Sequence, residues 1–299
     1  MFKTYNEKLR LLIEVISFVA KQRCFAMHGG TAINLFVCDM PRLSVDIDLT
    51  YLPIEDRQTT LSNINEALRQ IKDSVENKIP NSYVRRIPES GKLVIHRQHV
   101  EIKIEANLVK RGSLSGVIEM PLCNKAQLEY GMFAIMPIVP LGQLYGGKIC
   151  AALDRQHPRD LFDIKVLLEQ EGFSDRIRKG FLFCLVSGER PFTEMLAPNF
   201  KDQRQTMKNQ FVGMTNTIFT YEDFEQTRSN LVKTVNQGLT RDDKDFLLSF
   251  KNCEPNWNIY NFEHFPAVQW KLNNLLKLKK ENPQKHNHLF DLLKKQLQA

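Results

Sequence analysis

The sequence predicts an α+β fold, in which a part that mixes strands and helices is followed by a helical part. In the first half, strand-like alternation of apolar and polar residues occurs between amphipathic helical stretches, whereas from Leu141 onward apolar residues recur at helical spacing. This order along a chain is typical of α+β proteins. Because 299 residues suffice for two domains, we place an α+β domain at 1–140 and a helical domain at 141–299.

The same periodicities predict the individual elements. Strands are expected at residues 24–28, 45–51, 82–88, 92–97, 100–108 and 132–139. Helices are expected at residues 5–22, at a short stretch after Gly30, and at residues 55–76, 141–154, 159–170, 175–186, 221–237, 241–251, 264–280 and 286–297.

The composition is that of an ordinary globular chain, with 42% apolar and 25% charged residues. No apolar run approaches the roughly 20 residues of a membrane span, and residues 1–20 form an amphipathic pattern that does not match a signal peptide. The six cysteines show no paired spacing, which favours buried thiols in a reducing cytoplasm. The net charge of +7 fits either an acidic partner such as RNA or solvated lysines on helices.

A glycine turn at residues 29–31 is the first candidate for a binding site. Gly29, Gly30 and Thr31 leave the apolar run that ends at Met27 and enter a short helical pattern. Backbone without Cβ just before a helix can approach a phosphate closely. We therefore assign these three residues to nucleotide binding. His28, which precedes the turn, is expected to be a satisfied turn residue more often than a catalyst.

A pair of aspartates is the second candidate. Asp46 and Asp48 lie two positions apart in an alternating, strand-like run, so both carboxylates project from one face of the strand. Two hard oxygen ligands fixed side by side suit a Mg²⁺ ion that also holds substrate phosphates. A phosphate loop and a metal-binding pair joined by one short helix would form a compact nucleotide site.

In this order, the glycine turn, the short helix and the Asp-x-Asp strand resemble the signature of the nucleotidyltransferase superfamily typified by DNA polymerase β. The form Arg-x-Ser-x-Asp-Ile-Asp from Arg42 to Asp48 more narrowly resembles the AbiEii/AbiGii-type toxins of bacterial toxin–antitoxin pairs. The resemblance implies a polymerase β-like core, with a mixed sheet and flanking helices. It also implies two Mg²⁺ ions, for which Mn²⁺ can substitute. Arg42 would reach a triphosphate oxygen or pair with a carboxylate.

A third metal-binding carboxylate is expected on the strand predicted at 100–108. Its polar residues share one face and include two glutamates, Glu101 and Glu105. The run around Glu105 resembles the corresponding segment of the toxin family, which favours Glu105 as the metal ligand. The same glutamate would also accept the proton of the hydroxyl that attacks the nucleotide. An exposed edge strand with mixed charges is the alternative.

The predicted helices 141–154 and 159–170 carry a further group of charged residues, and this pair of helices resembles a helix pair of the toxin family. The resemblance implies that Lys148 contacts the nucleotide phosphates and that Asp163 supports Lys148 or the metal site. Arg159 and Asp160 would form a structural pair that caps the helix. An ordinary amphipathic helix with surface ion pairs is the alternative.

Two glycines precede Lys148 within the first of these helices. Gly146 and Gly147 each cost about 1 kcal/mol relative to alanine in a helix interior. We therefore expect another group to approach the backbone closely just before Lys148. The segment 265–275 also resembles a family signature, and Trp270 in it is expected to lie in the core.

The resemblance implies a nucleotidyltransferase that moves a nucleoside monophosphate from an NTP to RNA, such as a tRNA 3′ end, and releases pyrophosphate. A separate antitoxin protein would be its partner, and no membrane is involved. A small-molecule acceptor such as an aminoglycoside, or an inactive domain that binds nucleotide or a partner, remains open. Residues 172–262 carry no family motif, and the sequence does not disclose the NTP, the acceptor or the oligomeric state.

Overall fold

The computed structural model describes residues 2–298, and the side chains of residues 5–298. Contacts group the chain into two compact units. The first comprises Met1–Pro140 together with Asn209–Ile218, and the second comprises Leu141–Lys208 together with Phe219–Ala299. The predicted fold class, a mixed sheet with flanking helices and a helical C-terminal part, is confirmed. In the described residues, no helix is both long enough and apolar enough to cross a membrane.

The first unit contains a seven-stranded sheet in the described part of the chain. Its strands are β1 (Phe25–His28), β2 (Asp46–Tyr51), β3 (Ser82–Ile87), β4 (Lys92–Arg97), β5 (Val100–Asn107), β6 (Ile118–Pro121) and β7 (Ile135–Ile138). They are ordered β3-β4-β5-β2-β1-β7-β6. Strand β2 is parallel to β5 and β1 is parallel to β7, whereas the other neighbouring strands are antiparallel.

Helices of the first unit pack against the sheet. They are α1 (Phe2–Val19), α2 (Gly29–Ala32), α3 (Arg57–Lys78) and α4 (Asn124–Tyr130), and α2 runs directly into a π-helical turn at Ile33–Val37. Helix α1 packs against β5 and β7, and α3 packs against β3 and β4. Alternate strand residues such as Ile47, Ile104 and Leu93 are fully buried. The polar residues between them therefore point to the opposite face.

Strand β6 and helix α4 of the first unit were not predicted. Strand β6 is a four-residue edge strand in which three side chains are exposed, and α4 spans only seven residues. Neither is long enough to show a clear periodicity. The strand predicted at 132–139 is shorter than expected and contains only Ile135–Ile138.

The chain beyond Pro140 is helical. Its helices are α5 (Leu141–Arg155), α6 (Pro158–Gln170), α7 (Asp175–Val186), α8 (Phe192–Leu196), α9 (Arg204–Gln210), α10 (Tyr221–Gly238), α11 (Arg241–Lys251), α12 (Pro266–Glu281) and α13 (Pro283–Gln298). Helices α8 and α9 were not predicted, because five and seven residues are too short for a helical repeat to stand out.

Close packing of α5 against α7 explains one of the two helical glycines. A Cβ on Gly146 would lie 2.2 Å from the backbone carbon of Gly180 in α7, so the two helices approach backbone to backbone. A Cβ on Gly147 would meet only the Cys184 sulfur, at 3.8 Å, which is an ordinary contact. The expected close approach therefore exists at Gly146, where it serves helix packing.

The prediction that Trp270 lies in the core is wrong, because its side chain is 56% exposed. The neighbouring residue takes the buried position on α12. Lys271 is buried, and its ammonium donates hydrogen bonds to the carbonyls of Leu185 and Arg190 at 3.0 and 2.8 Å. The buried face of α12 therefore lies about one residue further along than the aromatic residue suggested.

Candidate active site

Three acidic residues share one face of the sheet where β2 and β5 run side by side. Asp48 is the direct register partner of Glu105, and Asp46 is the partner of Lys103. Paired residues on neighbouring strands share a face, and Asp46 lies on the same face two positions from Asp48. All three acids are partly exposed. Glu101 pairs with His96 at the far end of β5, about 13 Å from Glu105 along the strand. The register thus places Glu105, and not Glu101, beside Asp48.

The glycine turn lies directly against this acidic group. His28 is the register partner of Asp48, and Gly29 follows it with a φ of +78°, a conformation that favours glycine. A Cβ on Gly29 would lie 2.3 Å from Oδ2 of Asp48. Only a residue without a side chain allows the aspartate to stand this close to the turn, so the two sequence motifs form one site.

Arg42 lies on the other side of the glycine turn and is buried. Its guanidinium donates a hydrogen bond to the carbonyl of Leu43 at 2.9 Å. A Cβ on Gly30 would lie 2.9 Å from one guanidinium nitrogen of Arg42 and 3.0 Å from the Ser44 hydroxyl. The second glycine therefore leaves room for a positive charge beside the turn.

Thr31 connects the turn to the acidic strand. Its side chain is fully buried, and its hydroxyl lies 3.0 Å from the Ser44 hydroxyl and within hydrogen-bond distance of the main-chain carbonyl of Asp46. His28 is also engaged, because its Nδ1 lies 3.1 Å from the hydroxyl of Thr50. Both side chains fix the frame around the aspartates.

A segment from late in the chain holds the loop that carries Arg42. The N–H of Leu43 donates to the carbonyl of Met214 at 2.7 Å, and the Thr215 hydroxyl donates to the carbonyl of Pro41 at 2.8 Å. Both partners belong to Asn209–Ile218, which is part of the first unit. The sequence carried no signal for this contact, because one bond joins two backbone groups and the other needs only a hydroxyl from a residue far along the chain.

Lys148 and Asp163 lie in the helical unit, in a buried ion cluster. The ammonium of Lys148 is 2.9 Å from carboxylate oxygens of both Asp160 and Asp163, whose side chains are 1% and 0% exposed. The guanidinium of Arg155 also binds Asp160. The expected support of Lys148 by Asp163 is thus present as a contact.

The expected role of Asp160 requires a correction. Asp160 binds Lys148 and Arg155, and the N-cap of α6 is His157, whose ring accepts a hydrogen bond from the N–H of Arg159. Burial alone would raise the pKa of Asp160, but the charges of Lys148 and Arg155 outweigh it and hold this pKa well below its usual value. The carboxylate is therefore ionised and neutralised within the protein.

Comparison with known proteins gives the family. Residues 10–274 match the family described as "Nucleotidyl transferase AbiEii toxin, Type IV TA system". The chain belongs to this family. No curated protein matches the sequence of this AbiEii-family chain. Among solved structures, it is similar to MenT4, a nucleotidyltransferase toxin from Mycobacterium tuberculosis H37Rv, with a TM-score of 0.61 and 13% identity over 89% of this chain and 92% of that one.

Membership in the AbiEii family confirms the resemblance predicted from the sequence. The chain is a nucleotidyltransferase toxin of a type IV toxin–antitoxin system, and the family implies an NTP as substrate and an antitoxin as partner. The likeness to MenT4 supports the fold.

The acidic group of this AbiEii-family chain fits a divalent cation. Its donors are hard carboxylate oxygens on one face of the neighbouring strands β2 and β5, and the Cβ-free backbone of Gly29 lies against the carboxylate of Asp48. Within residues 2–298, no group of three or more His, Cys, Asp or Glu side chains forms a ready-made metal site. Mg²⁺ commonly binds one or two carboxylates together with substrate phosphates, so a complete protein cage is not needed.

Proposed function

We propose that this toxin transfers a nucleoside monophosphate from an NTP to the 3′ end of an RNA in a Mg²⁺-dependent reaction. The observation that carries the proposal is the pairing of Asp48 with Glu105 directly beside the Gly29 turn. The side-chain-free backbone of Gly29 and the partly exposed carboxylates of Asp48 and Glu105 then lie next to one another. Phosphoryl transfer depends chiefly on positioning and charge neutralisation, which such a site can supply.

In the proposed reaction, the acceptor hydroxyl oxygen attacks the α-phosphorus of the NTP. A new phosphorus–oxygen bond forms, the bond to the β-phosphate breaks, and pyrophosphate leaves with that electron pair. We assign the hydroxyl proton to Glu105, which stands beside Asp48. Asp46, Asp48 and Glu105 would hold two Mg²⁺ ions, or Mn²⁺ in their place, which neutralise phosphate charge and acidify the attacking hydroxyl.

The remaining assignments follow from the contacts around the turn. Gly29 and Gly30 would let the triphosphate approach the backbone, and the guanidinium of Arg42 would neutralise part of its charge. Thr31 acts by positioning, because its hydroxyl already binds the carbonyl of Asp46. Contact between Lys148 and the nucleotide stays a prediction, since its ammonium binds two buried carboxylates.

Two observations support RNA as the acceptor and the cytoplasm as its location. The family is one of toxins, and a toxin that modifies RNA would arrest growth from within the cell. The net charge of +7 favours association with a polyanion. The net charge of the protein gives no comparable reason to favour a small acceptor such as an aminoglycoside.

Incubation of the full-length protein with each labelled NTP and Mg²⁺ tests the proposal. Parallel reactions contain total tRNA, an aminoglycoside mixture or no acceptor, and the Asp48→Asn variant serves as the inactive control. We expect label to enter tRNA with the wild type alone and to disappear with chelator. Label in the aminoglycoside instead would refute the RNA acceptor, and no label under any condition would refute the transfer activity.

A further inference from the structure

The face of β3, β4 and β5 that carries Glu105 extends away from the acidic group as a polar surface. Directly paired residues place Tyr83 beside His96, and Arg85 and Lys103 on either side of Val94. The side chains of Tyr83, Arg85 and Lys103 are exposed. The opposite face of these strands packs against α1 and α3, so this face is the one left open. We call Tyr83, Arg85, His96 and Lys103 the outer face.

Two rings form an aromatic surface on this outer face. The ring centroids of Tyr83 and His96 are 6.2 Å apart with an angle of 28° between the planes, which is an offset-stacked arrangement. Tyr83 is 60% exposed, although a large aromatic side chain is usually covered. A flat, accessible ring of this kind can stack on an unpaired base of any sequence.

Two cations, Arg85 and Lys103, and the carboxylate of Glu101 lie near the rings. Glu101 lies next to them, 3.7 Å from the His96 ring and 3.8 Å from the Lys103 ammonium. In the described part of the chain, no carboxylate lies within ion-pair distance of the exposed Arg85 guanidinium. Arg85 and Lys103 lie in the next row of paired residues, on either side of Val94. A phosphate backbone that continued from the rings toward the acidic group would therefore pass between two cations.

The outer face is continuous with the acidic group. Lys103 is the direct register partner of Asp46, and His96 lies four residues along β4 from Lys92, the partner of Glu105. Four strand residues span about 13 Å. One short single strand could therefore cover the rings and also reach the carboxylates with its end.

We propose that the outer face binds the single-stranded region next to the 3′ end of the RNA acceptor. Bases stack on Tyr83 and His96, while Arg85 and Lys103 bind phosphates. This inference rests on the proposed function, whose acceptor it describes. Unstacked bases are required, since bases within a duplex keep their faces covered.

Binding of fluorescently labelled single-stranded oligoadenylate RNA to the full-length protein tests this inference without turnover. Anisotropy titrations compare wild type, Tyr83→Ala and Tyr83→Phe. Loss of one base–aromatic stack should weaken binding by about 5- to 150-fold in Tyr83→Ala, and the phenylalanine ring should retain most of the affinity. Phe133→Ala is the matched control, because Phe133 is also an exposed aromatic residue, at 65%, but precedes β7 near the other end of the sheet.

RNA titrations at graded salt concentrations test whether Arg85 and Lys103 bind phosphates. Arg85→Ala and Lys103→Ala should each lower the slope of log Kd against log salt by about one, because one phosphate contact and its counterion release are lost. Lys78→Ala, at the exposed end of α3, should leave the slope unchanged. Unchanged slopes in the Arg85 and Lys103 variants would remove both residues from the binding surface.

Calorimetric titration of the same proteins with each MgNTP separates this inference from the proposed function. If wild type binds a MgNTP and labels tRNA while Tyr83→Ala binds oligoadenylate as tightly as wild type, the outer face is not the acceptor surface and the transferase proposal stands. If wild type binds no MgNTP and labels no RNA, the transferase proposal fails. Equal losses in Tyr83→Ala and Phe133→Ala would also overturn the inference.

Discussion

The sheet of the first unit and the helices of the second each gather charged residues around a family motif, but their surroundings differ. Asp46, Asp48 and Glu105 are partly exposed, and the Glu105 side chain retains 40% of its accessible surface. Asp160 and Asp163 are fully buried, and each contacts the ammonium of Lys148. Partly exposed carboxylates remain accessible to a metal ion from solvent, whereas carboxylates buried against a lysine ammonium are not.

Removing one acid of the exposed group should have the largest effect on catalysis. Asp46→Asn and Asp48→Asn each delete a metal-binding charge with almost no change in volume. We expect kcat to fall by about 10⁴-fold, or about 5.5 kcal/mol of transition-state stabilisation. Unfolding in denaturant should be nearly unchanged, since both side chains are partly exposed. Near wild-type kcat in both variants would show that this group is not the catalytic centre.

Removing the cation of the buried cluster should instead affect stability. Lys148→Ala leaves Asp163 without its ammonium partner at 0% exposure, and the free energy of unfolding should fall by about 3–5 kcal/mol. Lys92→Ala is the matched control, because the exposed Lys92–Glu105 pair should contribute less than about 1 kcal/mol. A stable Lys148→Ala protein with weakened MgNTP affinity in calorimetry would assign the cluster to the nucleotide site.

The two glutamates of β5 should differ in their effect on transfer. Glu105→Gln should lower kcat by about 100-fold, because the charge beside Asp48 and the proton acceptor are lost together. Glu101→Gln should change kcat by less than about twofold, because Glu101 lies about 13 Å away along the strand. If steady-state assays showed equal losses of kcat in the two variants, the assignment of Glu105 as the acid beside Asp48 would be wrong.

The adjacent glycines of α5 should respond to alanine with opposite signs. A Cβ on Gly146 collides with the backbone of Gly180, so Gly146→Ala should destabilise by about 1–3 kcal/mol or more. Gly147 has no such neighbour, and Gly147→Ala should stabilise the helix by up to about 1 kcal/mol. Denaturant midpoints measure both changes. Destabilisation by Gly147→Ala would mean that this glycine also has a packing or functional role.

The buried cluster of Lys148, Asp160 and Asp163 should also make the free energy of unfolding depend on pH. The pKa of Asp160 is below its unfolded value of 3.8, so the stability that it contributes is complete above pH 3.8 and is lost as the pH falls toward the folded pKa. One such group gives a slope of at most about 1.4 kcal/mol per pH unit. In unfolding series from about pH 5 to about pH 2, Asp160→Asn should show a shallower slope. Parallel curves for wild type and variant would show that Asp160 does not cause this pH dependence of stability.

The sequence predicted those features that depend on local periodicity or on neighbouring residues. Strands β2 and β5 and the shared face of Asp46 and Asp48 follow from alternation, and most of the long helices follow from apolar spacing. The choice between Glu101 and Glu105 required the register of two strands far apart in the chain, which alternation alone does not fix. The burial of Lys148 could not be predicted, because the sequence does not show which face of α5 packs inward.

The bonds from Met214 and Thr215 to the Arg42 loop have a consequence for the order in which the toxin is synthesised. Ribosomes make the glycine turn, the aspartates and Arg42 early, but the two residues that hold the loop emerge much later. A nascent chain that has released only the first 140 residues lacks both anchors. The loop that carries the arginine beside the glycine turn therefore gains both anchors only after Asn209–Ile218 has left the ribosome.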